Sequence, residues 1–130
     1  MARFRRARGV VFSGSGEGEF YVNLYARSFE EVLGYRPYPG TLNLRLLDGS
    51  RDRLVEGLRP LIVHPPQIRG YKLYEVRCYE AFIRDYPVYI VVPKVTMYKS
   101  DVVEIIARER LRDRFSLRDG DVVEVEVVFG

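Results

Sequence analysis

The chain has 130 residues, 47% of them hydrophobic, with a formal net charge of +3, ten tyrosines and no tryptophan. This length favours one domain with one core, and the net charge is too small to argue for a nucleic-acid-binding protein. Cys78 is the single cysteine and His64 the single histidine, which excludes an internal disulfide and a Cys/His metal cluster, so we expect a reducing compartment, the cytoplasm.

The N-terminal third predicts a hairpin followed by a short helix. The basic N-terminus precedes an apolar run that is too short for a signal peptide or a membrane span. Residues 9–13 and 19–25 are predicted as two strands, joined by a long glycine-rich tip. A helix is predicted to begin at Ser28, with Glu31 completing a capping box, and to end at Gly34.

The rest of the chain predicts short strands separated by turns. Two prolines and a glycine forbid regular structure before Thr41, and the strand that follows alternates, with Leu42, Leu44 and Leu46 on one face. Further strands are predicted at 61–63, 71–83, 86–92, 102–106 and 122–129, with a helical turn over 50–57 and a short helix over 108–115. Many short strands favour a mainly β protein, a closed or nearly closed barrel, over a layered α/β sheet.

The segment Ser13 to Glu19 is rich in glycine. Glycines allow positive φ and let backbone amides approach an anion closely, so such a loop can bind a nucleotide. It is neither a P-loop nor a dinucleotide fingerprint, because no Gly-Lys-Ser/Thr follows and the next predicted element is a strand. A flexible hairpin tip is the structural alternative, and Glu17 would repel phosphates unless it faces a base, a ribose hydroxyl or a metal.

Thr41 and Asn43 are two residues apart on one strand and therefore share a face. A hydroxyl and an amide oxygen there could hold Mg²⁺, with the negative charge supplied by nucleotide phosphates. The alternative is a loop entering a strand, in which both side chains satisfy local backbone groups.

The segment Lys94 to Arg112 flanks an apolar strand with polar positions. Glu104 lies between Val103 and Ile105 and faces away from them, so it is either solvated or directed into a pocket. Arg108, Arg110 and Arg112 add positive charge near a helix start. The Asp119-Gly120 turn that follows has a structural explanation and is assigned no chemistry.

Four motifs, taken in order, resemble a known family. GVVFSGSGEGEFY, PYPGTLNL, VVPKVT with EIIA, and LRDRFSLRDGDV look like the archaeal CTP-dependent riboflavin kinases, over residues 9 to about 127. The sequence departs from the family pattern at Arg108, where proline is common, and at Met97 and Tyr98.

The resemblance implies a single riboflavin kinase domain over 1–130, a six-stranded cradle-loop (riboflavin-kinase-like) β-barrel with two or three short helices. It implies the substrates riboflavin and CTP, the products FMN and CDP, and bound Mg²⁺. The family's metal-binding residues fall on Thr41 and Asn43, and its flavin-contacting residues on Thr96 and Glu104. Glu104 is the candidate catalytic residue. The nucleotide-contacting residues fall on Ser15, Gly16, Glu17, Gly18, Glu19, Phe20, Glu109, Arg110, Leu111 and Arg112.

We therefore expect a cytoplasmic, monomeric kinase with no nucleic-acid or membrane partner. Two other classes stay open. One is a flavin- or nucleotide-binding barrel without catalysis. The other is a small nucleic-acid-binding barrel, which would place Arg and Tyr on one strand face.

Overall fold

Seven β-strands and four short helices form the part of the chain that the computed structural model describes, residues 3–96 and 98–129. Met97, one of the departures from the family pattern, lies outside these residues. The strands are β1 (Arg3–Phe12), β2 (Leu42–Leu46), β3 (Leu61–Val63), β4 (Val76–Ile83), β5 (Tyr86–Pro93), β6 (Val102–Ile106) and β7 (Val122–Phe129). The helices are α1 (Glu17–Leu24), α2 (Ala26–Leu33), α3 (Arg51–Val55) and α4 (Leu111–Arg114).

Six of the strands close into an antiparallel barrel. Their order is β4-β5-β6-β2-β1-β7, and Phe82 on β4 pairs with Glu126 on β7 to close it. Strand β3 lies outside the barrel, paired with the first half of β4. The predicted six-stranded, mainly β barrel is confirmed, with one further strand and with four helices among the described residues instead of two or three.

The barrel interior is filled by the apolar faces of alternating strands. Leu42, Leu44 and Leu46 are buried on β2, as the alternation predicted. On β7, Val123 and Val125 are buried, whereas Val122 is 52% exposed. A strand that faces the core on one side and solvent on the other gives this period of two.

The predicted strand at 19–25 is wrong, because these residues lie in helix α1 and the start of α2. Tyr21, Tyr25 and Phe29 follow one another at helical spacing, with ring centroids 4.8 and 6.2 Å apart. A second core cluster lies against the outer face of the barrel. In this cluster Val22, Tyr25 and Phe29 of the helical segment pack with Cys78 and Val91 of the strands. These three side chains lie on one face of the helical segment, and burying that face favours the helix over the strand that the alternating pattern predicted.

The predicted capping box is also wrong. Helix α2 begins at Ala26 with Tyr25 as its N-cap and no side-chain cap, so Ser28 lies inside the helix. Its predicted end is confirmed, because Gly34 adopts φ 84°, the left-handed conformation that terminates helices.

Two predicted strands have different starts in the structure. Strand β1 begins at Arg3, because residues 3–8 pair with β7 and Arg6 bonds Glu126 at 2.6 Å. Strand β4 begins at Val76, since the Tyr25 hydroxyl bonds both backbone groups of Tyr74, at 2.7 Å to the carbonyl and 3.2 Å from the amide. The Tyr25 side chain thus bonds the amide and the carbonyl of Tyr74, which a β-strand would use to pair with its neighbour.

The other predicted elements are in place. The strands at 61–63, 86–92, 102–106 and 122–129 and the helical turn within 50–57 are confirmed, and the last predicted helix is shorter, with Arg110 extended before α4. Arg84 and Asp85 adopt φ 48° and 66° in the tight turn between β4 and β5. Within the described ranges, no helix is long and apolar enough to cross a membrane.

Candidate active site

Asn43 and Glu104 lie directly opposite each other on neighbouring strands. In the ladder between β2 and β6, Asn43 pairs with Glu104; Phe12 on β1 pairs with Asn43, and Val91 on β5 pairs with Glu104. Because side chains alternate along a strand, this row faces outward while its neighbours on β2 and β6 fill the interior. Asn43 is nevertheless only 7% exposed, so the outer face is covered at this point.

Thr41 completes a pair of oxygen atoms with Asn43. Its hydroxyl donates a hydrogen bond to Asn43 Oδ1 at 2.9 Å, from the position just before β2. The two side chains therefore share a face, as their spacing predicted, and they present their oxygens side by side.

The glycine-rich segment covers this pair. A Cβ on Gly14 would come within 2.7 Å of Asn43 Nδ2, and one on Gly18 would overlap the Thr41 hydroxyl. Gly16 adopts φ 89° and is the N-cap of α1, so the loop ends there and its last predicted residues form the first helical turn. The predicted hairpin tip is wrong, and glycine is required because the backbone passes so close to the polar pair.

These elements surround a cleft of about 470 Å³. It brings together every predicted site residue except one. The lining includes Ser15, Gly16, Glu17, Gly18, Glu19, Thr41, Asn43, Thr96, Glu104, Glu109, Arg110, Leu111 and Arg112. Phe20 is the exception, because it lies on the outer side of α1 and is 71% exposed.

The cleft also contains aromatic residues that sequence reasoning did not assign to it. Phe12 and Tyr98 contact each other edge to face, with centroids 5.8 Å apart, and Tyr21 and Tyr38 line the cleft as well. Phe12 is the last residue of β1, and its position opposite Asn43 is fixed by strand pairing alone. The abundance of tyrosine was the available signal, and it does not say which tyrosines gather.

Charges of both signs face the cleft. Burial raises the pKa of the Glu104 carboxyl, the Arg51 charge opposes this rise, and the negative charge of Glu17 adds to it. Arg110 and Arg112 supply the positive charge, and Arg110 bonds Asp113 at 2.7 Å. A half-buried acid beside neutral side-chain oxygens and arginines suits the transfer of a charged group to a hydroxyl.

A metal ion at this site would need more oxygen ligands than the Thr41–Asn43 pair offers, and nucleotide phosphates or water would have to supply them. The part of the chain that the structure describes contains no group of three or more His, Cys, Asp or Glu side chains gathered for a metal. The Thr41–Asn43 pair is a different kind of donor set, neutral and two-membered.

Tyr21 at the edge of the cleft keeps a buried hydroxyl with no hydrogen-bond partner among the described residues. We expect Tyr21→Phe to leave the free energy of unfolding unchanged or to raise it by up to about 1 kcal/mol, because no hydrogen bond is lost. Tyr25→Phe is the matched control and should cost roughly 1–2 kcal/mol, since it leaves the backbone of Tyr74 unpaired. Urea unfolding of both variants measures the difference in the free energy of unfolding. Equal destabilisation would contradict the conclusion that the Tyr21 hydroxyl forms no stabilising hydrogen bond.

Comparison with known proteins identifies a family and several relatives. The CTP-dep_RFKase family, described as "Domain of unknown function DUF120", matches residues 11–127. Three relatives, each named riboflavin kinase, are similar to the chain. The relative from Aeropyrum pernix is 45% identical over 127 residues, 92% of this chain and 93% of its own length. Those from Methanospirillum hungatei and Archaeoglobus fulgidus are 44% and 40% identical over 92% and 95% of this chain.

The chain spans only 56% and 54% of the Methanospirillum and Archaeoglobus relatives. The family match nevertheless covers most of the chain. It includes the glycine-rich segment, the strands β2 and β6 that carry Asn43 and Glu104, and the arginines of the cleft. By this match, and by its identity to the Aeropyrum relative, the chain belongs to the family of archaeal CTP-dependent riboflavin kinases.

Proposed function

We propose that the protein is a riboflavin kinase that transfers the γ-phosphoryl group of CTP to the 5′-hydroxyl of riboflavin, giving FMN and CDP. Family membership and the names of the relatives support the reaction, and the name of the family supports CTP as the donor. The observation that carries the proposal is the pairing of Asn43 with Glu104. It sets the Asn43 side chain, the proposed metal ligand, on the strand next to an acid suited to the acceptor hydroxyl, and phosphoryl transfer uses both kinds of group.

Thr41 and Asn43 are the residues proposed to hold Mg²⁺. Adjacent ligands of an octahedral Mg²⁺, each about 2.1 Å from the metal, lie about 3 Å apart. The Thr41 and Asn43 oxygens are 2.9 Å apart, which fits this spacing once the Thr41 hydroxyl hydrogen turns away from Asn43 Oδ1. When bound, the ion supplies charge neutralisation at the phosphates.

Glu104 is proposed to receive the proton of the acceptor hydroxyl. The riboflavin 5′-oxygen bonds to the γ-phosphorus as the bond from that phosphorus to the β–γ bridging oxygen breaks, CDP leaves, and the proton passes to Glu104. Burial raises the pKa of this carboxyl, which makes it a stronger base than an exposed glutamate. Thr96 lines the same cleft and is proposed to contact riboflavin with it.

The nucleotide is proposed to lie between the first turn of α1 and residues Glu109–Arg112. The first turn of a helix presents unpaired amides, which favour phosphate oxygens. Glu17 and Glu19 in that turn carry the opposite charge. They therefore require the phosphates to be held chiefly by amides, Arg112 and the bound ion, with Glu17 facing a hydroxyl or the ion.

An assay with four nucleotides tests the reaction. The protein is incubated with riboflavin and Mg²⁺ and with CTP, ATP, GTP or UTP in turn, and FMN is measured by chromatography. We expect FMN with CTP at a rate at least about tenfold above the others, a difference of about 1.4 kcal/mol in transition-state binding. No FMN with any donor would contradict the kinase and favour a non-catalytic flavin-binding barrel, and equal rates would contradict the CTP preference.

Three further statements stay predictions. We propose that residues 1–130 form a single riboflavin kinase domain, that it acts as a monomer and that it works in the cytoplasm. The continuous core of the barrel supports the first.

A further inference from the structure

Asp119 connects two segments of the cleft without itself lining it. The Ser13 hydroxyl lies 2.9 Å from both carboxylate oxygens of Asp119. Arg112 donates from Nη2 to Asp119 Oδ1 at 2.7 Å and to the Ser13 hydroxyl at 3.3 Å. Ser13 and Arg112 both line the cleft, on segments that are 99 residues apart in sequence.

The turn that carries Asp119 is fixed to the barrel. The Gly120 amide donates to the Val11 carbonyl at 2.8 Å, and the Val11 amide donates to the Asp121 carbonyl at 2.9 Å. Gly120 adopts φ 94°, and the Asp121 carboxylate accepts from the Arg118 amide at 2.8 Å. The carboxylate of Asp119 is therefore presented from a rigid turn, although its side chain is 56% exposed.

This connection sets the orientation of the Arg112 guanidinium. Both of its hydrogen bonds use Nη2, and none is found from Nε or Nη1 to the described residues. The N–H groups of Nε and Nη1 are not used in these two hydrogen bonds, and each can donate singly to a phosphate oxygen while Nη2 holds the plane of the guanidinium in place. The hydrogen bonds from Arg112 and Ser13 also lower the pKa of Asp119, which keeps the carboxylate charged.

We propose that Asp119 is a positioning residue that holds Arg112 and Ser13 together so that Arg112 can bind the phosphates of the nucleotide. The inference rests on the proposed function, since it requires that the nucleotide lies in this cleft. Asp119 touches neither substrate, and it acts through Arg112. The sequence alone explained Asp119 as part of a turn, because Ser13, which completes the cluster, lies 106 residues away from it in sequence.

The test compares CDP binding by calorimetry with steady-state kinetics. Asp119→Asn keeps the size of the side chain and removes its charge. We expect the Kd for CDP and the KM for CTP to rise about tenfold, the loss of one charge-assisted hydrogen bond, with the KM for riboflavin and the unfolding midpoint little changed. Glu30→Gln is the matched control, because the Glu30 carboxylate is similarly exposed and pairs with Arg36 at 3.0 Å outside the cleft. It should change none of these values.

A double variant separates positioning from a general structural effect. If Asp119 acts through Arg112, Asp119→Asn should add little to the loss caused by Arg112→Met, whereas independent effects would multiply. Asp119→Glu should recover part of the affinity for CDP, since the exposed turn can accommodate the longer acid. An unchanged Kd in Asp119→Asn, or equal losses in both backgrounds, would overturn the inference. Wild-type protein that binds CDP without forming FMN would overturn only the kinase. Wild-type protein that forms FMN but has the same KM for CTP after Asp119→Asn would overturn only this inference.

Discussion

Glu104→Gln is expected to lower the turnover number for FMN formation about 10²- to 10⁴-fold, the range that a general base contributes. The amide keeps the size of the side chain and can still form a hydrogen bond, so riboflavin should bind with a similar Kd. Turnover is measured by FMN formation, and binding by the quenching of riboflavin fluorescence. Glu80→Gln, an exposed strand glutamate on β4, is the control and should leave turnover unchanged.

The dependence on pH distinguishes a lost base from a damaged fold. The pKa of Glu104 is raised in the folded state, so this group favours folding most at low pH, and that contribution is lost as pH rises through the folded pKa. At neutral pH the Gln variant should therefore be at least as stable as the wild type. The wild-type rate should fall as pH drops below the raised pKa, and the variant should lack that dependence.

Two outcomes would contradict this role. Wild-type turnover in Glu104→Gln would exclude proton transfer to Glu104 and leave it only as a hydrogen-bond partner of the flavin. A large loss of riboflavin binding with the turnover number preserved would also place Glu104 in substrate binding alone.

Gly18→Ala is expected to lower kcat/KM about 10²-fold, although alanine is the better helix former. Its Cβ would overlap the Thr41 hydroxyl and come within 3.3 Å of Thr41 Cβ and Cγ2, so Thr41 must move away from Asn43. The loss should be accompanied by a higher requirement for Mg²⁺, measured by titrating the metal at fixed CTP. Thr41→Val, which replaces the hydroxyl with a methyl group of similar size, should show the same higher requirement.

Gly57→Ala is the matched control for this experiment. Gly57 adopts φ 76°, and a Cβ added to it would have no other atom within 4 Å, so the change should cost roughly 1 kcal/mol of stability through the left-handed conformation alone. Its activity at moderate temperature should equal that of the wild type. Wild-type activity and Mg²⁺ dependence in Gly18→Ala would contradict the proposed role of the Thr41–Asn43 pair.

The barrel could be predicted from the sequence because its strands are short and half-buried. In β2 and β7, polar and apolar residues alternate, and the alternation shows directly which side chains enter the core. The first half of β1 was missed because its arginines hide the pattern; Arg5 stacks on Phe129, and Arg6 pairs with Glu126.

Helix α1 shows where local pattern is insufficient. Residues 19–25 alternate like a strand, yet Val22, Tyr25 and Phe29 also have the spacing of one helix face. The outer face of the barrel decides between them, because it offers an apolar surface that a helix stripe can cover. That surface exists only after distant strands have paired.

The candidate site was predicted in part. The spacing of Thr41 and Asn43 showed a shared face, but their closeness to Glu104 depends on the pairing of two strands about 60 residues apart. Periodicity gives the face of each side chain and not its partner on the next strand. Asp119 was explained as part of a turn for the same reason, since Ser13 and Arg112 reach it only in the folded chain.

Asn43 and Glu104 face outward, and the residues next to them in sequence face the core. Each of these residues has core neighbours in sequence, Leu44 beside Asn43 and Ile105 beside Glu104, both at most 1% exposed. A shift of β2 or β6 by one position would turn the polar row into the barrel and expose the aliphatic residues. The hydrophobic interior therefore also fixes the geometry of the cleft. Any shift in strand register that would misplace Asn43 or Glu104 would at the same time expose core residues, and the loss of buried apolar surface disfavours it.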